Sequence, residues 1–239
     1  MIPRLAEIWV YLSASPLLWL TVTLIIYQVT FWIYLRANLH PLLNPVAWSI
    51  AFLILLLKGT GTSYETYFNG AQFIHFLLGP ATVALAIPLY SHLGKLRLLW
   101  LPLTGALVVG SITAMLSAVI IAWLLGVDHT TLLSILPKSV TAAIAMGISE
   151  KIGGLPSLTA VLVIMTGILG AGMARYVFNF LRITDHSIRG FALGLAAHGI
   201  GTARAFQVNE EAGAFAGLAM GLNGLATSFL VPLVMILIN

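Results

Sequence analysis

Residues 99 to 125 and 212 to 238 pass without one charged side chain. A helix needs about 20 apolar residues to cross the hydrocarbon core of a bilayer. Only helices and closed barrels can satisfy their backbone there. Two further runs, 16 to 35 and 155 to 180, are equally apolar apart from Arg175 near one end, and four more follow the same pattern at 42 to 57, 70 to 90, 132 to 149 and 187 to 206. Runs of this length define a polytopic, all-α membrane protein, read as one transmembrane domain over residues 1–239. The composition agrees, with 60% hydrophobic and only 8% charged residues, far from what keeps a soluble surface wet.

The same numbers exclude several function classes. Without cysteine there is no disulfide, thiolate metal site or thiol nucleophile. The net charge of +4 is read as loop charge facing an anionic leaflet, because no basic cluster interleaves with aromatics as nucleic-acid binding requires. GxSxG, HExxH, a P-loop and a carboxylate pair within a span are all missing, so no enzyme, cofactor or metal is expected. The opening MIPRLAEIWVYLSASPLLWL has no short apolar core with a small-residue cleavage site and is read as part of a retained first helix.

Two segments look interrupted. The third contains Gly79 and Pro80, with Pro88 further on, and the fifth starts with Pro137 and Lys138. They also resemble each other: Pro80, Thr82, Val83, Ala86 and Ile87 recur 57 residues later as Pro137, Ser139, Val140, Ala143 and Ile144. Loop charge gives an independent indication, taken from Arg4, Arg36, Lys58, Lys95, Arg97, Lys151, Arg182 and Arg189. Eight full spans divide these evenly. If both interrupted segments enter and leave on one side, only Arg36 and Lys151 remain outside, as the positive-inside rule prefers. The expectation is six to eight membrane segments, two of them (about 63–92 and 127–154) proline-broken or re-entrant, in the inverted-repeat layout of a transporter.

A proline break frees backbone groups that lipid cannot satisfy, so it persists only where protein or water covers it. The half-helix that follows begins with free N–H groups and a partial positive charge. Ser139 or Thr141 can cap it, and Lys138 adds a full charge, which together make an anion site; Thr82 offers a weaker version at the first break. The competing readings are that Lys138 snorkels at the surface with Pro137 merely starting a helix, and that Pro80 is an ordinary kink.

A second polar cluster lies in AAHGIGTARAF. His198 and Thr202 share a helix face, Arg204 lies near, and Gly199 and Gly201 are expected to loosen the helix. Ionisable groups at membrane depth are site candidates, although Arg204 becomes interfacial if the helix stops near Thr202. Asn223 interrupts a long apolar run and serves either as interhelical glue or as a substrate contact. Glu150, beside Lys151, is a surface residue or a coupling group. Glu210 and Glu211 are expected in a solvated loop, and Asp128 with His129 at a helix start. Glycines 213, 217 and 221, and 167, 170 and 172, are read as packing stripes. Trp9, Trp19, Trp32, Trp48, Trp100 and Trp123 are read as an interfacial belt.

The stretches FLLGPATVALAIPLY, LPKSVTAAIAMGIS with GGLPSLTA, and HGIGTARAF followed by GAFAGLAMGLNG closely resemble the LrgB/CidB/YohK family of bacterial membrane proteins, in order and over essentially the whole chain. The family pattern often has proline where this chain has Ala143, a departure that removes one helix breaker. The resemblance implies a multi-pass protein of the bacterial cytoplasmic membrane, paired with a small holin-like partner and described as antiholin-like or as controlling murein hydrolase export and lysis. It also implies kinship with plastidal glycolate/glycerate translocators.

Two functions follow as expectations. The first is a secondary transporter or exchanger of small carboxylates such as glycolate, glycerate or pyruvate, working in the lipid membrane as a homodimer. Thr82, Lys138, Ser139, Thr141, Thr202, Arg204 and Asn223 would then bind substrate, with His198 and Glu150 as candidates for proton coupling. Gly79, Pro80, Pro137, Gly199 and Gly201 supply the breaks. The second is an antiholin-like regulator that acts through a holin-like partner without carrying substrate.

Overall fold

The structure, a computed structural model, describes residues 16–40 and 43–238; Arg4 and Trp9 lie outside the described residues. Every regular element among the described residues is a helix. The chain divides into two compact units, with the boundary between Thr82 and Val83.

The first unit is built on α1 (Pro16–Arg36), α2 (Pro45–Thr60) and α3 (Tyr64–Phe76), with α1 packed against the other two. Asn44 starts α2 by accepting from the N–H groups of Val46 and Ala47 at 3.0 and 3.2 Å, with Pro45 at the first helical position, where its missing donor costs nothing. Gly61 ends α2 in the left-handed region, φ 65°, which glycine reaches without strain. Inside, the Thr30 and Ser49 hydroxyls pair at 2.8 Å. Trp19 is fully enclosed, edge-on to Tyr67. It does not join the expected interfacial belt, whereas Trp32, Trp48, Trp100 and Trp123 are exposed.

The third apolar run is broken into α3, α4 (Leu78–Ala84) and α5 (Ala86–Ser91). Its prolines set the ends. α3 stops at Phe76 and α4 at Ala84, each four residues before a proline. Pro80 and Pro88 lack the N–H that those carbonyls would have accepted.

The second unit holds α5, α6 (Leu93–Leu124), α7 (His129–Ile135), α8 (Ala142–Ile152), α9 (Pro156–Phe180), α10 (His186–Val208) and α11 (Glu210–Ile238). Asp128 starts α7, accepting from the Thr131 N–H at 3.1 Å and its hydroxyl at 2.6 Å, as the sequence predicts. Asp185 starts α10, accepting from the Ile188 N–H, and its carboxylate is also held by Lys95 at 2.8 Å and by the Ser187 hydroxyl. Those partners keep the Asp185 carboxyl well below the usual carboxylate range,. Lys95 reaches Glu211 at 2.8 Å as well. Glu210 and Glu211 therefore open α11, and Glu211 is ion-paired, where a solvated loop was expected.

α10 and α11 approach each other closely at two glycines. A Cβ on Gly190 would collide with the Ala212 carbonyl, and one on Gly194 with the Ala216 carbonyl. Glycine at both positions lets the helices touch main chain to main chain. The α9 stripe works similarly: a Cβ on Gly167 would fall 2.8 Å from the His198 ring, and one on Gly170 would fall 2.7 Å from Ala197. Of the α11 stripe at 213, 217 and 221, only Gly213, against Phe206, is so tightly opposed, while Gly221 meets open space.

Candidate anion site at two chain reversals

Two elements of the second unit reverse direction. Pro137, Ser139 and Val140, in the linker between α7 and α8, are buried. Its ends are tied by a buried hydroxyl set: the Ser134 hydroxyl accepts from the Leu155 N–H at 2.8 Å, and the Thr159 hydroxyl lies 2.9 Å from the Ser134 carbonyl and 2.7 Å from the Ser149 oxygen. Residues 134, 149 and 155 thus meet, so the chain runs inward through LPKSVT and returns as α8. Protein covers the polar backbone of this path,.

The second reversal lies within α10. Ala197 (φ −124°, ψ 16°) and His198 (φ 42°, ψ −133°) are not helical. His198 adopts a conformation that normally requires glycine, a cost of about 1–3 kcal/mol that persists only where the surroundings enforce it. They do so in three ways. The His198 ring sits against Gly167, its Nε2 donates to the Val163 carbonyl at 2.9 Å, and its own carbonyl accepts from the Thr202 hydroxyl at 2.9 Å. A Cβ on Gly201 would lie 2.6 Å from the Leu193 carbonyl, so the two halves of α10 lie alongside one another. The sequence assigns the loosening to Gly199 and Gly201; the non-helical residues are those just before them, and Gly201 provides the room for the return.

Asn223, midway along α11 and 1% exposed, joins both reversals. Its amide donates to the Ser139 carbonyl at 3.2 Å and the Leu195 carbonyl at 3.0 Å, and its oxygen accepts from the Ser111 hydroxyl of α6 at 2.7 Å. The Leu195 carbonyl lost its helical partner to the turn, and Asn223 replaces it. Both amide hydrogens are used inside the protein.

Lys138 stands beside this knot. It is half-buried, and its ammonium approaches the Ser139 hydroxyl oxygen at 3.3 Å. Among the described residues no carboxylate comes within ion-pair distance of it; both ion pairs there belong to Lys95. Thr141 takes the N-cap position of α8 with an extended backbone but makes no side-chain cap. The first-turn N–H groups of α8 and a lone ammonium are therefore available together. Such an arrangement attracts one negative charge.

The other predicted residues are placed elsewhere. Thr82, in the first unit, is exposed and donates to the Leu78 carbonyl of its own helix at 2.7 Å. Arg204 reaches Gln207 and lines a separate cavity. Glu150 and Lys151 are exposed. Sequence reasoning did not single out Ser111, Ser134, Ser149 and Thr159. Their signal is weak: small hydroxyl residues within apolar helices, which bond to their own backbone as readily as across a bundle.

The comparisons with known proteins bear on this fold and site together. The model of the LrgB-like family matches residues 23–237. This chain belongs to the LrgB-like family. The antiholin-like proteins LrgB of Bacillus cereus (strain B4264) and of Bacillus anthracis (strain CDC 684 / NRRL 3495) are each 33% identical to it over 223 residues, which is 93% of this chain and 97% of theirs. No solved structure matches. Five helical stretches among the described residues, counting the broken run 64–91 as one, are long and apolar enough to cross a membrane. With the family membership, they make this an all-α, multi-pass bacterial membrane protein.

Proposed function

We propose that the second unit of this LrgB-like protein carries small organic anions, of the size of glycolate, glycerate or pyruvate, past the point where its two reversals meet. One observation carries the reading: Lys138, half-buried beside an uncapped helix start, has no carboxylate partner among the described residues. A cation kept in such surroundings is costly unless it has a use. In this proposal Lys138 pairs with the substrate carboxylate, and the α8 N–H groups share its charge. The Ser139 and Thr141 hydroxyls meet the substrate's hydroxyl or carbonyl oxygen. Asn223 and Thr202 hold the two turns in place. His198 gives its Nε2 hydrogen to a carbonyl, which leaves Nδ1 to take up a coupling proton; Glu150 is the second candidate for that proton. The proline-broken segments at about 63–92 and 127–154 are proposed to be re-entrant.

A second reading rests on a different observation, and the comparisons support it more directly. The relatives are named antiholin-like proteins. On that basis the chain regulates murein hydrolase export and lysis through a holin-like membrane partner, with no substrate of its own.

Uptake of labelled glycolate, glycerate and pyruvate into proteoliposomes, with and without an inward proton gradient, separates the two. Carriage predicts saturable uptake that drops to the level of empty liposomes in Lys138→Ala, with the variant still monodisperse and helical. Absence of uptake for all three anions, with and without the holin-like partner, overturns carriage and leaves the regulatory reading.

A further inference from the structure

The reversal of α10 creates a second cationic place, remote in sequence from Lys138. Arg189 in its first half and Arg204 in its second line one cavity of about 330 Å³, together with Arg175 of α9 and His186. That volume falls at the low end of small-molecule sites, about 300–1,000 Å³. Three arginines from two helices line the cavity, and among the described residues no carboxylate does. Asp185, next in sequence to His186, is occupied by Lys95, Ser187 and the Ile188 N–H.

The protein satisfies these cations only in part. Arg189 donates from Nε to the Ile183 carbonyl at 2.6 Å and from Nη2 to Asn179 at 2.8 Å, and it lies 5.7 Å from the Phe178 ring centre. It is thereby fixed in place while keeping its whole charge. Arg204 bonds only the neutral Gln207, at 3.2 Å. The Nδ1 of His186 is buried without any hydrogen-bond partner. Between the arginines the lining is apolar, from Ala174, Phe178, Leu193 and Val208.

We propose that this cavity binds a phosphate group, held by Arg175, Arg204 and the already anchored Arg189. Guanidinium forks match phosphate oxygens in pairs, which suits them to this ligand better than lysines. The apolar lining favours the phosphodiester of an anionic lipid over free phosphate, since basic pockets between membrane helices hold such headgroups. The site is independent of carboxylate carriage and stands whether or not Lys138 binds substrate.

The experiment uses full-length protein stripped of lipid in detergent. Phosphatidylglycerol and phosphatidylcholine are titrated by native mass spectrometry, and inorganic phosphate by calorimetry. Retention of one phosphatidylglycerol but no phosphatidylcholine, with affinity reduced roughly tenfold or more in Arg175→Gln/Arg204→Gln, supports a lipid site. Binding of inorganic phosphate alone, lost in the same variant, supports the phosphate chemistry with a soluble source. No binding of either ligand, or binding unchanged in the variant, overturns the proposal. Should the double variant not fold, Ala174→Phe fills the cavity without altering charge, and undiminished binding there overturns it equally.

Discussion

The interruptions at Pro80 and at Pro137 begin with the same chemistry and are completed differently. Around Pro80 the residues from Phe76 to Ala84 are exposed, and Thr82 bonds only its own helix. Around Pro137 the linker residues Pro137, Ser139 and Val140 are buried, hydroxyls of the adjoining helices tie α7, α8 and α9 together, and Asn223 takes up the Ser139 carbonyl. A proline removes one donor wherever it stands; the helices before Pro80 and Pro137 stop there, whereas Pro102 and Pro232 are carried inside α6 and α11. Whether the freed backbone becomes a site depends on what other helices bring to it. At the second break they bring an asparagine with both amide hydrogens committed and leave a lysine without a carboxylate partner among the described residues, which is the difference between a bend and the geometry proposed to hold an anion.

The contrast can be broken most severely at Asn223. Asn223→Leu leaves the Ser139 and Leu195 carbonyls and the Ser111 hydroxyl without their partner. At about 0.6–1.7 kcal/mol for each hydrogen bond between membrane helices, the loss is about 2–5 kcal/mol. Thermal unfolding in detergent should then move down by roughly 5–15 °C; an unchanged midpoint would show that the two reversals hold without this knot. Ser111→Ala tests one arm of it, and the same scan should record about a third of that shift. Thr82→Val probes the exposed break, where stability should stay within about 0.5 kcal/mol of the parent chain. A large loss at Thr82 would mean that the first break is as tightly built as the second, and the contrast would disappear.

Much of the helical order is legible in particular residues. Phe76 and Ala84 end their helices because prolines stand four positions later, and Asp128 starts α7 because its carboxylate reaches the Thr131 N–H. Lys138 and Asn223 stand out because apolar runs surround them. The turn at His198 is harder to read. Gly199 and Gly201 mark the neighbourhood, yet the residue that takes the positive φ is the histidine. Its conformation is enforced from outside by Gly167, the Val163 carbonyl and Thr202. The Gly190 and Gly194 approach to α11 was equally hidden, since spacing by itself says nothing about which helix a glycine faces.

Taken alone, the sequence determined that this chain is a bundle of membrane helices, interrupted at some of its prolines, because hydrophobic run length and a missing N–H act locally and need no partner. The fold-back of α10, the meeting of the Ser139 and Leu195 carbonyls on Asn223, and the gathering of Arg189 with Arg204 were decided only by tertiary structure. Each depends on groups far apart in sequence satisfying one another, and no local pattern encodes which distant group that will be.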